Sequence, residues 1–193
     1  MTNANLQAWL DRNDVELINT IKLEIRQHLT KLKASGNNFY GYAILPGESY
    51  LIQNIFPAFN CESDIKSENS DDDIYYRYCV DEWENWEYDE FPKSNKLIDL
   101  RNSQFKELHP KKYPDKASME DFFLDNFEMA HVDKLLDAIL KAMIGLKHER
   151  IFNSDKFLII WFSDLDDEII TKSVKELNSQ TVYETFMQEF GDI

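Results

Sequence analysis

One short apolar run restricts the possible folds of this chain more than any other feature. The segment "KFLIIWF" (156–162) places six apolar residues in succession after Lys156. It is far too short to span a membrane, which takes roughly 20 residues. A strand with one face in water alternates polar and apolar residues, whereas a continuously apolar strand must be covered on both faces. We therefore predict a central strand in a sheet that carries other layers on both sides.

A helix is predicted near the amino end, before any strand. Asn13 and Glu16 have the spacing of a capping box, which satisfies the first free amides of a helix. Apolar residues then recur at intervals of three and four, as one face of a helix requires: Ile18, Ile21, Ile25, Leu29 and Leu32. Gly36 is expected to end this helix in the left-handed conformation.

Three strands are predicted to follow this helix. The segment "FYGYAIL" (39–45) is rich in strand-forming residues, Pro46-Gly47 favours a turn, and "YLIQNIF" (50–56) is the expected hairpin partner. The segment "IYYRYCV" (74–80) is the expected third strand. The polar tract 67–73 has too little apolar surface to fold, so we expect an exposed loop there.

The second half of the chain predicts mainly helices. Residues 91–117 contain three prolines and indicate an irregular stretch with one short helix. Residues 118–121 can cap a long helix with a wide apolar stripe at Val132, Leu135, Leu136, Ile139, Leu140, Met143 and Ile144. Further helices are expected after Asp164, which can act as a cap, and after a capping box formed by Thr181 and Glu184.

These elements, in this order, predict the α+β class. We expect a mainly antiparallel sheet of about four or more strands, covered by an N-terminal helix, a long central helix and C-terminal helices. The 193 residues suit a single domain over 1–193, with no linker in the composition. No segment resembles a secretory signal, and Cys61 and Cys79 fit reduced thiols. We expect a cytoplasmic location.

The charge of the chain is strongly acidic and unevenly distributed. The net charge is −15, and residues 62–91 contain twelve acidic residues against Lys66 and Arg77, a local net charge of −10. Such a field repels nucleic acid and anionic lipid, and it accelerates encounter with basic proteins. We therefore expect neither nucleic acid nor a membrane as a partner, and a basic protein as the partner that the charge favours. Solubility alone is the competing explanation.

The sequence lacks the common catalytic motifs. It has no nucleophile-elbow, phosphate-binding or dinucleotide-binding glycine pattern. Four scattered histidines lack metal-ligand spacing and are predicted to be surface or helix-end residues: His28, His109, His131 and His148. We predict no catalytic residue, no cofactor and no metal. The alternative is a metal-dependent hydrolase that uses Asp164, Asp166 and Asp167, although capping of the following helix also explains these carboxylates.

The strongest candidate for a binding site is the segment 81–88, which interleaves carboxylates with large aromatic rings. A cationic partner would find charge attraction and ring faces together on such a surface. The predicted partner-binding residues are Asp81, Glu82, Trp83, Glu84, Trp86, Glu87 and Tyr88. The same rings could instead anchor the core beside a solvated acidic flank, and the sequence leaves both interpretations open.

The order of four segments resembles a bacterial family of uncharacterised proteins, the domain-of-unknown-function family 4303. These segments are the first amphipathic helix, "FYGYAIL", "YYRYCVDEW" (75–83) and the late strand followed by "SDLD" (163–166). The resemblance implies a compact α+β domain in the bacterial cytoplasm without assigned catalytic residues. Some families of this kind are immunity proteins encoded beside secreted toxins. We therefore predict a non-enzymatic protein-binding domain, of the immunity type, that neutralises a basic toxin.

Overall fold

The computed structural model describes residues 3–47, 51–65, 73–110, 124–162 and 168–191. In chain order the elements are α1 (Asn3–Leu10), α2 (Val15–Ala34), β1 (Phe39–Pro46), β2 (Ile55–Cys61), a 3₁₀ turn (Glu62–Asp64), α3 (Asp73–Tyr78), a second 3₁₀ turn (Val80–Glu82), β3 (Asn85–Trp86), α4 (Pro92–Leu108), α5 (Asn126–His148), β4 (Phe157–Ile160), α6 (Glu168–Leu177) and α7 (Gln180–Phe190). The predicted α+β class is confirmed, with the predicted N-terminal, long central and C-terminal helices.

The four strands form one mixed sheet in the order β3-β2-β1-β4. Strand β1 pairs antiparallel with β2 and parallel with β4, and β2 pairs antiparallel with β3. Two of the three pairings are therefore antiparallel. Strand β4 lies at an edge of this sheet, so the prediction that 156–162 forms the central strand is wrong.

The sheet separates two hydrophobic cores, and alternation along each strand divides the side chains between them. The first core lies against α2 and α5 and takes Tyr42 and Ile44 from β1, and Leu158 and Ile160 from β4. The second core lies against α7 and the turn at Val80–Glu82, and its residues from the sheet are Ala43, Leu45, Phe56, Ala58, Phe157 and Ile159. Both faces of β4 are buried, as its continuous apolarity predicted.

Helix α6 covers the outer edge of β4 in place of a further strand. The Leu158 amide donates to Asn178 Oδ1 at 2.9 Å, and Asn178 Nδ2 donates to the Leu158 carbonyl at 2.7 Å. The Ile160 amide donates to Ser173 Oγ at 3.0 Å. These contacts satisfy main-chain groups that an edge strand would leave unpaired.

The segment 74–80, predicted as a strand, belongs mainly to helix α3. Tyr75 and Tyr78 are three residues apart, as on one face of a helix, and both contact α7. The Tyr75 ring stacks on Phe190 at 5.9 Å, and the Tyr78 ring lies 6.4 Å from Phe186, between centroids. Strand propensity of aromatic residues reflects packing on a sheet, so this packing against a helix overrides it. The third strand of the sheet is instead the short β3.

The hairpin partner of β1 begins five residues later than predicted. Ile55 lies opposite the end of β1, and β2 continues to Cys61. Tyr50, the first residue of the predicted partner strand, lies outside the described residues. The apolar residues before β2 serve other contacts. Leu51 packs in a third core with α1 and Phe105, and Asn102 Nδ2 donates to the Ile52 carbonyl. Apolarity alone therefore did not distinguish a strand from a buried loop.

Several helix ends differ from the predicted ones by a few residues. Asp14 caps α2 by accepting from the Leu17 amide, Asp125 forms the capping box of α5, and Ser179 caps α7. Gly36 has the predicted left-handed conformation. Most of the predicted loop 67–73, the predicted cap at 118–121 and Asp164 lie outside the described residues.

Helix α4 has 17 residues, where only a short helix was predicted. Its start is stabilised from another helix, because the buried Glu24 of α2 accepts from the amides of Lys93 and Ser94 and from Ser94 Oγ, at 2.6–2.9 Å. A carboxylate at a helix N-terminus satisfies free amides and complements the helix dipole. This cap comes from about 70 residues away in the sequence, so local patterns could not reveal it.

Candidate functional site

The predicted binding segment 81–88 crosses the β3 edge of the sheet, and its residues separate into three environments. Trp83 belongs to the core. It is 3% exposed, and its ring lies over Gly41, where a Cβ atom would come within 2.6 Å of the ring. Trp83 is therefore a structural anchor, and the core interpretation of these rings holds for this residue.

Trp86 and Tyr88 form the second environment, an aromatic cluster at the surface together with Phe56 of β2. The Tyr88 ring lies 4.5 Å from Phe56 and 6.1 Å from Trp86, and Trp86 lies 5.9 Å from Phe56, between centroids. Phe56 is buried, Trp86 is half-buried, and Tyr88 is 61% exposed. The outer ring of this Phe56–Trp86–Tyr88 cluster is thus supported from below and open to a partner.

The carboxylates that neighbour these rings in the sequence do not share one environment. Glu82 and Glu84 are exposed, as is Asp89 next to Tyr88. Asp81 is also exposed and accepts a hydrogen bond from Trp161 Nε1 at 3.0 Å, which attaches its turn to the end of β4. Because these carboxylates are exposed, water weakens the repulsion between them.

Glu87 forms the third environment, because it points to the opposite face of the sheet from Trp86. Its carboxylate lies 2.8 Å from His28 Nε2, and His28 Nδ1 lies 2.8 Å from the Tyr42 hydroxyl. Burial lowers the pKa of His28, although the neighbouring Glu87 acts in the opposite direction. In the neutral imidazole that this favours, Nε2–H donates to Glu87 and Nδ1 accepts from Tyr42. Glu87 is held in place by the core.

The sequence-based prediction for the histidines is wrong for His28 and His131, which are both 0% exposed. His131 Nε2 lies 2.7 Å from Asn102 Oδ1, and burial lowers the pKa of His131 to about 4. One signal was present for His28. It continues the spacing of Ile21 and Ile25 and precedes Leu32 by four, so it lies on the buried face of α2.

Metal-binding clusters are absent from the part of the chain that the structure describes. No group of three or more His, Cys, Asp or Glu side chains there has a metal-binding arrangement. Burial raises the pKa of the Cys79 thiol, which disfavours the reactive thiolate. Asp164, Asp166 and Asp167, the residues of the hydrolase alternative, lie outside the described residues.

The fold and this edge define a class: an acidic α+β protein that presents supported aromatic rings among carboxylates at one edge of its sheet. The family model "Domain of unknown function (DUF4303)" matches residues 18–179, and the chain belongs to this family. The matched region runs from α2 to the segment after α6 and includes the whole of 81–88. No curated protein and no solved structure matches the chain. Among the described helices, none combines the length and the apolarity that crossing a bilayer requires.

Proposed function

We propose that this protein is a non-enzymatic, cytoplasmic binding protein that takes a basic protein on the acidic edge around the Phe56–Trp86–Tyr88 cluster. An immunity-type role, in which the partner is a basic toxin, is the form of this function that the charge favours. The exposure of Tyr88 above a buried Phe56 is the observation that carries the proposal. A large ring in water has no role in the core, whereas exposed aromatic anchors dominate many interfaces.

The charge around the cluster supports a cationic partner. Glu82, Glu84 and Asp89 are exposed within six residues of Tyr88 in the chain, and residues 62–91 have a net charge of −10. Opposite charges on two partners accelerate their encounter, and arginine side chains also stack on aromatic faces. The partner-binding set is narrower than the sequence predicted, because Trp83 is buried and Glu87 is bound to His28.

The test begins with recovery of the partner from the source cells and proceeds to binding kinetics with purified proteins. We expect association to slow steeply as salt rises, because exposed charges are screened over about 8–10 Å at physiological ionic strength. Changing the exposed Glu82 and Glu84 to Gln and Asp89 to Asn together should lower the association rate about tenfold. Tyr88→Ala should mainly raise the dissociation rate, again by about tenfold, since hot-spot rings contribute roughly 1–2 kcal/mol or more.

A matched triple variant controls for net charge. Asp99→Asn, Glu107→Gln and Glu189→Gln remove the same three charges from exposed positions on α4 and α7. This control should keep most of the wild-type association rate. A partner whose binding ignores salt, the acidic-edge triple variant and Tyr88→Ala would show that the segment serves folding and solubility only.

A further inference from the structure

The main chain of this sheet is closed by side chains at several of its edge positions. On one side, Asn178 and Ser173 bind the main chain of β4. On the other side, Asn95 Oδ1 accepts from the Ile55 amide at 2.8 Å, and Asn95 Nδ2 donates to the Ile55 carbonyl at 3.1 Å. In both places one asparagine imitates a neighbouring strand, which prevents pairing with another chain.

Strand β3 differs from these closed positions. The Glu87 amide donates to the Pro57 carbonyl at 3.0 Å, and Trp86 lies opposite Ala58. In an antiparallel pair, consecutive residues direct their amide and carbonyl groups alternately toward and away from the partner strand. The N–H and C=O of Trp86 therefore point away from β2. Among the described residues, the main-chain hydrogen bonds outside the helices and the sheet ladders include none to the N–H or C=O of Trp86.

We propose that the partner binds by strand addition: an extended segment bearing alternate Arg or Lys residues pairs with the outer edge of β3, with two hydrogen bonds to the main chain of Trp86. This inference rests on the proposed function and adds its geometry. Recognition by strand addition derives affinity from the main chain and specificity from alternate side chains. The segment's side chains on one face would then lie beside the rings of Trp86 and Tyr88.

Charge complementarity decides in favour of this occupant over a second copy of the same chain. Two β3 edges paired with each other would bring Glu82, Glu84 and Asp89 of both copies together, and like charges across a strand pair are destabilising. A segment with alternate cations instead places its charges among these carboxylates. The shortness of β3, which has two residues, limits the pairing to the neighbourhood of Trp86.

The experiment uses two synthetic peptides and the full chain. The first peptide is a capped alternating arginine–valine heptapeptide. The second has the same sequence and charge but is N-methylated at its three central residues, which removes the amides needed for strand pairing. Binding is measured by fluorescence anisotropy, and amide hydrogen exchange is followed by NMR. We expect the N-methylated peptide to bind at least tenfold more weakly, and the unmodified peptide to slow exchange of the Trp86 amide at least tenfold.

The outcomes separate this inference from the proposed function. Equal binding of both peptides, still weakened by salt and by Tyr88→Ala, would overturn strand addition and leave the proposed binding surface standing. If neither peptide binds, both strand addition and the proposed surface for basic segments are overturned. A concentration-dependent dimer of the protein alone, with protection of the Trp86 amide, would show that a second copy occupies this edge and would overturn the basic segment as its occupant.

Discussion

Asn178 offers the sharpest test of how the sheet is closed. Its side chain accepts from the Leu158 amide and donates to the Leu158 carbonyl, and it also donates to the Val174 carbonyl at 2.9 Å within α6. Asn178→Leu keeps a side chain of similar size but removes every one of these hydrogen bonds. The two main-chain groups of Leu158 would then face an apolar side chain at the edge of the sheet.

The expected loss of stability follows from those two groups. An unsatisfied buried donor or acceptor costs about 1–3 kcal/mol, so with two such groups the variant should lose about 2–6 kcal/mol of unfolding free energy. The Val174 carbonyl adds little, because it still accepts from the Asn178 main-chain amide. An opened strand edge is also a template for pairing between chains, so aggregation on heating should increase.

Asn178→Asp separates the two hydrogen bonds. The carboxylate still accepts from the Leu158 amide, but its other oxygen replaces a donor that lies 2.7 Å from the Leu158 carbonyl. Two acceptors in contact raise the pKa of the new carboxyl group above its unfolded value. Protonation restores a donor, so this variant should recover stability relative to wild type as the pH falls from 7 to 5.

Urea denaturation at pH 7 and pH 5 measures these changes, with Asn153→Leu as the control at an exposed asparagine. The control should change stability by less than about 0.5 kcal/mol. If Asn178→Leu were as stable as this control, closure of the β4 edge by α6 would contribute nothing to folding. An Asn178→Asp variant with the same pH dependence as wild type would remove the assigned donor and acceptor roles.

Three further predictions concern the core. Burial lowers the folded pKa of His131 to about 4, so below pH 7 the folded state binds fewer protons than the unfolded chain. Wild type should therefore lose about 2 kcal/mol of unfolding free energy from this group between pH 7 and pH 5. Urea denaturation of His131→Gln should show a flatter pH profile. Ile160→Ala should cost about 2–5 kcal/mol by leaving a cavity, whereas the exposed Leu100→Ala should cost less than about 0.5 kcal/mol, and equal denaturation midpoints would contradict the packing of β4. Gly41→Ala should lower the unfolding free energy by about 1–3 kcal/mol, because the added methyl group clashes with Trp83. In a double-mutant cycle, a smaller cost in a Trp83→Phe background would locate the clash, whereas additive costs would refute it.

Several elements followed from the sequence because their signals are local. The apolar spacing from Ile21 to Leu32 identified α2, the wide stripe after Val132 identified α5, and the residues of 39–45 identified β1. Each pattern reports the periodicity of burial within its own segment, and that periodicity distinguishes a helix from a strand over a sufficient length. The order of these elements was enough to predict the α+β class.

Tertiary contacts alone decided the rest of the fold and the exposure of the candidate site. Tyr75 and Tyr78 lie in a helix because α7 packs beside them. Strand β4 can lie at an edge because Ser173 of α6 and Asn178, which follows α6, bind its main chain. Helix α4 begins at Pro92 because Glu24 of α2 accepts from its first amides. Trp83, Trp86 and Tyr88 have similar sequence surroundings, yet one lies in the core, one is half-buried and one is in water. A local pattern records that a residue is apolar or charged, but burial depends on which distant element packs against it, and that information is not local.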